Sequence, residues 1–185
     1  MTGNQACAMK LHHKPLVELL QRAYSAEKAA AFAYVGHAAS LRDPLAKAAV
    51  KQIEEDEWGH RRNVFAIMQQ YDIPVSRFYE FKFHIIGRVI SASCHVIGWF
   101  MPYFFAGKLE SGNVCEYFVM MKYFHSLDIN KHDEILYEMA SRRRNTKFIF
   151  CSRSRTASGC HFLRKYLPGA GKPAPTTWIW KTNCL

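Results

Sequence analysis

Between Pro15 and Ala140 the apolar residues recur every three or four positions, the repeat of helices that share a core. Pro15, a favourable first-turn residue, opens a helix that runs to about Leu41 with Leu16, Leu20, Ala23, Ala30 and Tyr34 on its stripe. After the turn "RDP" a second helix runs from Pro44 to Gln70. "YDIPVSR" breaks the pattern, with Ser76 placed to cap the next helix. The third segment, "RFYEFKF" to "HSLDI", predicts one helix kinked near Pro102 or two in sequence, and "INKHDEILYEMA" starts the last. The expected fold is all-α, a helical bundle.

Charged residues sit on two of these stripes. Glu27 lies one turn from Ala23 and from Ala30 and Ala31, and Glu57 and His60 share the second stripe with Ile53, Val64 and Met68. A buried carboxylate is costly unless paired or bound to a metal. The i, i+3 spacing brings a carboxylate and an imidazole to neighbouring positions, which is the ligand logic of four-helix metal sites. Taken alone, Glu-x-x-His is a common coincidence, and a buried Glu–Arg or Glu–His pair is the ordinary reading. Glu27 on a facing stripe tips the balance to metal. A third glutamate is required from the next segment. Glu110 is in register with Tyr103, Ala106, Val114 and Tyr117, and Glu116 with Leu109, Met120 and Tyr123, so periodicity leaves both open. The aromatics here read as core or as the wall of an apolar substrate site.

Other chemistries lack their signatures: there is no Gly-rich phosphate loop, no GxSxG elbow and no internal repeat. "MTGNQACAMKLHHKP" has no apolar core of a secretory signal. The six cysteines (Cys7, Cys94, Cys115, Cys151, Cys160, Cys184) form no CxxC pair, which predicts reduced thiols in an intracellular compartment. Residues 83–106 are apolar, but His84, Arg88 and His95 interrupt them, so a core helix, or one lying on a membrane or lining an apolar substrate channel, is expected rather than a span.

The stretches "AYSAEKAAAFAYVGH", "IEEDEWGHRRNVFAIM", "SRFYEFKFHIIGRVI", "GWFMPYFFAGKLESGNVCEY" and "DEILYEMA" together resemble a ferritin-like di-iron carboxylate family related to demethoxyubiquinone hydroxylase, a monooxygenase of ubiquinone biosynthesis. The resemblance covers about residues 16–140. It implies a ferritin-like four-helix bundle, two iron ions per chain, oxygen activation and a quinone-type lipid substrate at a membrane surface. It further implies a cytoplasmic protein, peripheral on the inner face of the membrane, and leaves room for a homo-oligomer. Glu27 would be the first-helix ligand, Glu57 and His60 the second-helix pair, and Glu110 the third-helix glutamate, with Glu116 as the alternative.

The fourth helix departs from that family, which continues after "EMA" with a second Glu-x-x-His. Here the chain reads "SRRRNTKFIF". Arginine cannot ligate iron, and three together would repel a dication. Composition changes at the same point. The net charge of +10 arises wholly from residues 141–185, which hold ten basic residues and no acid, whereas residues 1–140 are neutral. The genetic code suggests a cause. Reading each codon's last base with the next codon's first two, Asn145–Thr146 must encode His or Tyr, Lys147–Phe148 Val or Ile, and Phe148–Ile149 His or Tyr. The Arg142–Arg143 and Arg144–Asn145 junctions permit Glu, so "E-x-E-H-E-V-Y-F" restores the missing motif. In the same frame "TWIWKTNCL" becomes acidic at its two Trp junctions. The expectation is therefore a ferritin-like domain over residues 1–140 and a frame-shifted, poorly ordered basic tail over 141–185, with iron binding and hydroxylation impaired. The alternatives are a non-catalytic helical protein whose tail binds nucleic acid or anionic lipid, and an iron-storing or peroxide-scavenging ferritin-like protein.

Overall fold

The structure, a computed structural model, describes residues 10–97 and 115–142. Among these there are five helices and no strand: α1 Lys14–Ser40, α2 Pro44–Gln70, α3 Arg77–Ile97, α4 at 115–125 and α5 at 133–142. The region around Pro102, Glu110 and the basic tail from 143 onward lie outside the described residues.

Local chemistry accounts for the helix ends. The Nδ1 of His13, at the N-cap of α1, accepts from the Leu16 amide at 3.2 Å, with Pro15 in the first turn. Asp43 caps α2, its carboxylate accepting from the amides of Leu45 (3.3 Å) and Ala46 (3.0 Å). Ser76 caps α3 as its sequence context predicts, its hydroxyl oxygen lying 3.4 Å from the Tyr79 amide. Helices α2 and α4 end alike. Asp72 and Asp128 adopt left-handed backbone (φ 55° and 57°), and the next residues, Ile73 and Ile129, donate to the carbonyls of Met68 and Phe124, both at 3.0 Å. This is the Schellman closure, with aspartate where glycine is commonest.

The main core is built from four helices, α1, α2, α4 and α5. Leu16, Leu20, Val64, Met68, Met120, Phe124, Leu136 and Met139 are all within 1% of full burial. The buried positions alternate by three and four along each helix (16, 20, 23 and 27 on α1; 53, 57, 60 and 64 on α2), the spacing of helices that bury one face.

Helix α3 lies outside this cluster against α1, and it gets close because small residues face each other. A Cβ at Gly87 would stand 2.8 Å from Ala29 Cα, and one at Gly36 would collide with the Ser91 backbone. A polar knot also ties α1, α2 and α3 together. The Arg61 guanidinium donates to both Glu80 oxygens at 3.0 Å and to the Tyr24 carbonyl at 2.7 Å, and lies 3.7 Å over the Tyr24 ring. Lys28 (3.1 Å) and Ser25 (2.9 Å) donate to the same carboxylate. Because Arg61 adjoins His60, this knot sets the rotation of α2 that turns Glu57 and His60 inward. The other face of α3 is apolar and exposed: Phe78 is 70% accessible, Phe81 72%, Val89 62% and Val96 87%.

Candidate metal centre

Glu27, Glu57 and His60 meet in the core. Their exposures are 3%, 1% and 4%, and each offers one ligating atom within 4.8 Å of the other two. Among the described residues this is the group of His, Cys, Asp and Glu side chains with the geometry to hold a metal ion. His60 Nδ1 lies 3.9 Å from Glu27 Oε2 and 3.8 Å from Glu57 Oε2. Helix α1 places Glu27 one turn beyond Ala23 on its buried stripe, and α2 places Glu57 and His60 one turn apart on its own.

The electrostatics are lopsided. The three side chains by themselves, two carboxylates and one imidazole, carry a net negative charge even when the imidazole is protonated, in surroundings that solvate charge poorly. A divalent cation reverses that imbalance. Metal–ligand bonds of about 2.1 Å place adjacent donors roughly 3.0–3.4 Å apart, so the two imidazole–carboxylate separations need to close by about 0.4–0.9 Å on an ion. The donor set of two hard carboxylates and one imidazole suits a first-row dication such as Fe(II).

The remaining candidates have different fates. Glu110 lies outside the described residues. Glu116 is not brought to the cluster: it accepts from Arg22 at 2.9 Å, with 30% of its side chain accessible. The reason is its position on α4, where Tyr117, Met120 and Phe124 take the inward face. Arg142 does not enter the centre either. It donates to Glu138 at 2.7 Å and reaches Asp56 at 3.4 Å on the surface, and its neighbour Glu138 holds the guanidinium firmly protonated. The contact with Asp56 shows that α5 reaches the level of Glu57 at its last described turn.

Sequence reasoning missed one residue of the centre. Tyr117, read as core or substrate wall, is 1% accessible and donates its hydroxyl proton to Glu27 Oε1. Its ring also meets His60 edge-on, with centroids 6.3 Å apart. Its place on the stripe that contains Glu110 was legible, but its hydrogen bond was not. The thiol expectation needs correcting too. Cys94 is a free buried cysteine, but Cys115 is disulfide-bonded, since wide spacing in sequence does not prevent closeness in space.

A second buried polar pair sits at the far end of the core. Tyr71 and His132 share a 2.7 Å hydrogen bond, with the rings of Tyr71 and Phe124 both packed on the imidazole. Burial keeps the His132 imidazole neutral to lower pH than usual, helped by Lys131 and opposed by Asp133, and raises the Tyr71 phenol. His37, 2% exposed on α1, is shifted down to about 4 by desolvation. No helix among the described residues is long and apolar enough to cross a membrane. Comparison with family models, with curated proteins and with solved structures returned no match to this chain.

Proposed function

We propose that this bundle is the ligand frame of a ferritin-like di-iron carboxylate oxidoreductase, related to demethoxyubiquinone hydroxylase, which hydroxylates a quinone-type substrate with oxygen. In this chain the loss of the second Glu-x-x-His impairs that activity. The observation that carries the reading is the buried convergence of Glu27, Glu57 and His60 from two helices. Two carboxylates and an imidazole gathered in a core form a donor set whose chemistry fits iron.

Glu27, Glu57 and His60 would hold metal, joined by Glu110 from the stripe on which Tyr117 faces the centre. Iron bound there supplies oxygen activation. The chain's own residues do the rest. Their burial keeps bulk water from the ligands, the Arg61–Glu80 knot fixes the rotation of α2, and Arg142 spends its charge on Glu138 and Asp56 outside.

A lipid substrate calls for contact with a membrane, and α3 suits that contact. Its exposed apolar stripe is flanked by exposed Arg77, Lys82 and Arg88, while its acid, Glu80, is turned inward to Arg61.

The test restores the missing half. The chain is made with residues 141–185 replaced by the alternative-frame sequence, loaded with Fe(II), and given a short-chain quinone, a reductant and oxygen. Hydroxylated product from the restored chain, and little from the present one, is the expected result. Iron-loaded restored chain that yields no product would refute the hydroxylase reading.

A further inference from the structure

We infer that Tyr117 is a positioning residue for the metal ligand Glu27: its hydroxyl holds Oε1 and leaves Oε2 as the oxygen that Glu27 presents to a metal. This rests on the metal reading above and adds a specific role within it.

The two oxygens of Glu27 stand in different surroundings. Oε1 accepts from Tyr117 across the bundle, from α4 to α1. Oε2 faces His60 Nδ1 at 3.9 Å, and that same nitrogen lies 3.8 Å from Glu57 Oε2. The Glu27 oxygen nearest His60 Nδ1 is therefore not the oxygen that Tyr117 holds. A glutamate side chain can rotate about its terminal bond and can bind through one oxygen or both. A donor fixed on one oxygen sets the carboxylate plane and occupies a lone pair that chelation through both oxygens would use.

The side chain is tyrosine rather than phenylalanine at a position 1% accessible to solvent, where a bare ring would pack as well. A buried phenol is retained where its hydroxyl has a partner, and here the partner is a ligand. Outer-shell hydrogen bonds of this kind orient a ligand, and their removal commonly costs 10–100-fold in metal affinity. The Tyr117 ring also meets the His60 imidazole in a T-shaped contact, so one residue touches two ligands from two helices.

The test uses Co(II) as the probe, titrated into the full chain and into Tyr117→Phe, with visible ligand-field absorption giving both affinity and coordination. The substitution removes one oxygen and preserves the ring, and far-UV dichroism checks that the helices persist. Tyr117→Phe should bind Co(II) at least about tenfold more weakly and with an altered ligand-field spectrum, because Glu27 is freed to bind through both oxygens. Equal affinity and an unchanged spectrum in Tyr117→Phe would overturn the positioning role while leaving the metal reading standing. A wild-type chain that gives no saturable Co(II) spectrum would overturn both. Loading the wild type with Fe(III) supplies a separate readout. A phenolate-to-iron charge-transfer band would make Tyr117 a ligand and overturn the inference, and its absence supports a hydroxyl engaged with Glu27.

Discussion

Replacing Glu57 by methionine should stabilise the metal-free protein. Glu57 is 1% exposed, and the cation nearest to it among the centre's residues is His60, whose Nδ1 is 3.8 Å away and is shared with Glu27 at 3.9 Å. At an effective dielectric near 20, each attraction to a protonated imidazole is worth about 4 kcal/mol, and repulsion between the two carboxylates is of similar size. Desolvation adds several kcal/mol per ion. An apolar side chain in place of Glu57 removes both that repulsion and that desolvation cost. Methionine matches the length of glutamate and leaves Glu27 in place beside His60 and the Tyr117 hydroxyl. Replacing buried ion groups with apolar side chains of similar volume is often stabilising by 1–4 kcal/mol. A gain of about 1–3 kcal/mol corresponds to a rise of roughly 3–10 °C in Tm for a chain of this size. The assay is thermal unfolding followed by far-UV dichroism, in EDTA and then in excess Co(II). Glu57→Met should melt higher than wild type in EDTA and lose the stabilisation that Co(II) gives the wild type. A variant that melts lower in EDTA would refute the reasoning, since Glu57 would then be a structural partner of His60 rather than a ligand in waiting.

Four further outcomes are expected. Gly36→Leu should destabilise the α1–α3 packing by about 3 kcal/mol, because its side chain collides with the Ser91 backbone, and chemical denaturation measures the loss. Burial works against the Glu80 charge, but Arg61, Lys28 and Ser25 outweigh it and lower its pKa. Its contribution is therefore complete above the unfolded value near 4.5 and is lost as pH falls through the lower folded value; Glu80→Gln should remove that acid limb from a pH series of unfolding free energies. His37 has its pKa lowered to about 4 by desolvation, so the native state resists its protonation. Stability should be intact above about 6.5 and fall toward pH 4, and His37→Gln should flatten that slope. Sequencing the nucleotides around codons 138–147 should reveal a one-base difference that opens the alternative frame; an intact coding frame there, with the mass of the present tail found in the purified protein, would contradict it.

Much of the frame was legible because it rests on local rules. The bounds of α2, the Ser76 cap and the break at "YDIP" follow from proline, capping oxygens and a three–four repeat. Glu27, Glu57 and His60 were legible for the same reason, as charges placed on apolar stripes. The features that escaped depend on contacts distant in sequence. Glu116 and Tyr117 are neighbours, and only packing decides that Tyr117 turns inward to Glu27 while Glu116 pairs with Arg22, 94 residues away. For helix α3 the sequence left open a core helix, one lying on a membrane and one lining an apolar substrate channel. It packs on α1 through Gly36, Gly87 and Ser91, and leaves Phe78, Phe81, Val89 and Val96 outside. Hydropathy registers large side chains and overlooks the small ones that allow two backbones to approach. The Cys115 disulfide was hidden likewise, because spacing alone does not report which thiols meet.

Anaerobic titration calorimetry with Fe(II), on the full chain and on the Glu57→Ala/His60→Ala double variant, tests the metal centre most directly. The wild type should take up iron weakly, at no more than one ion per chain, and the double variant should show no saturable heat. Saturable binding that survives the double substitution would place the metal elsewhere and contradict the assignment of Glu57 and His60. Two tightly bound irons per chain would show that the second half of the site was never lost.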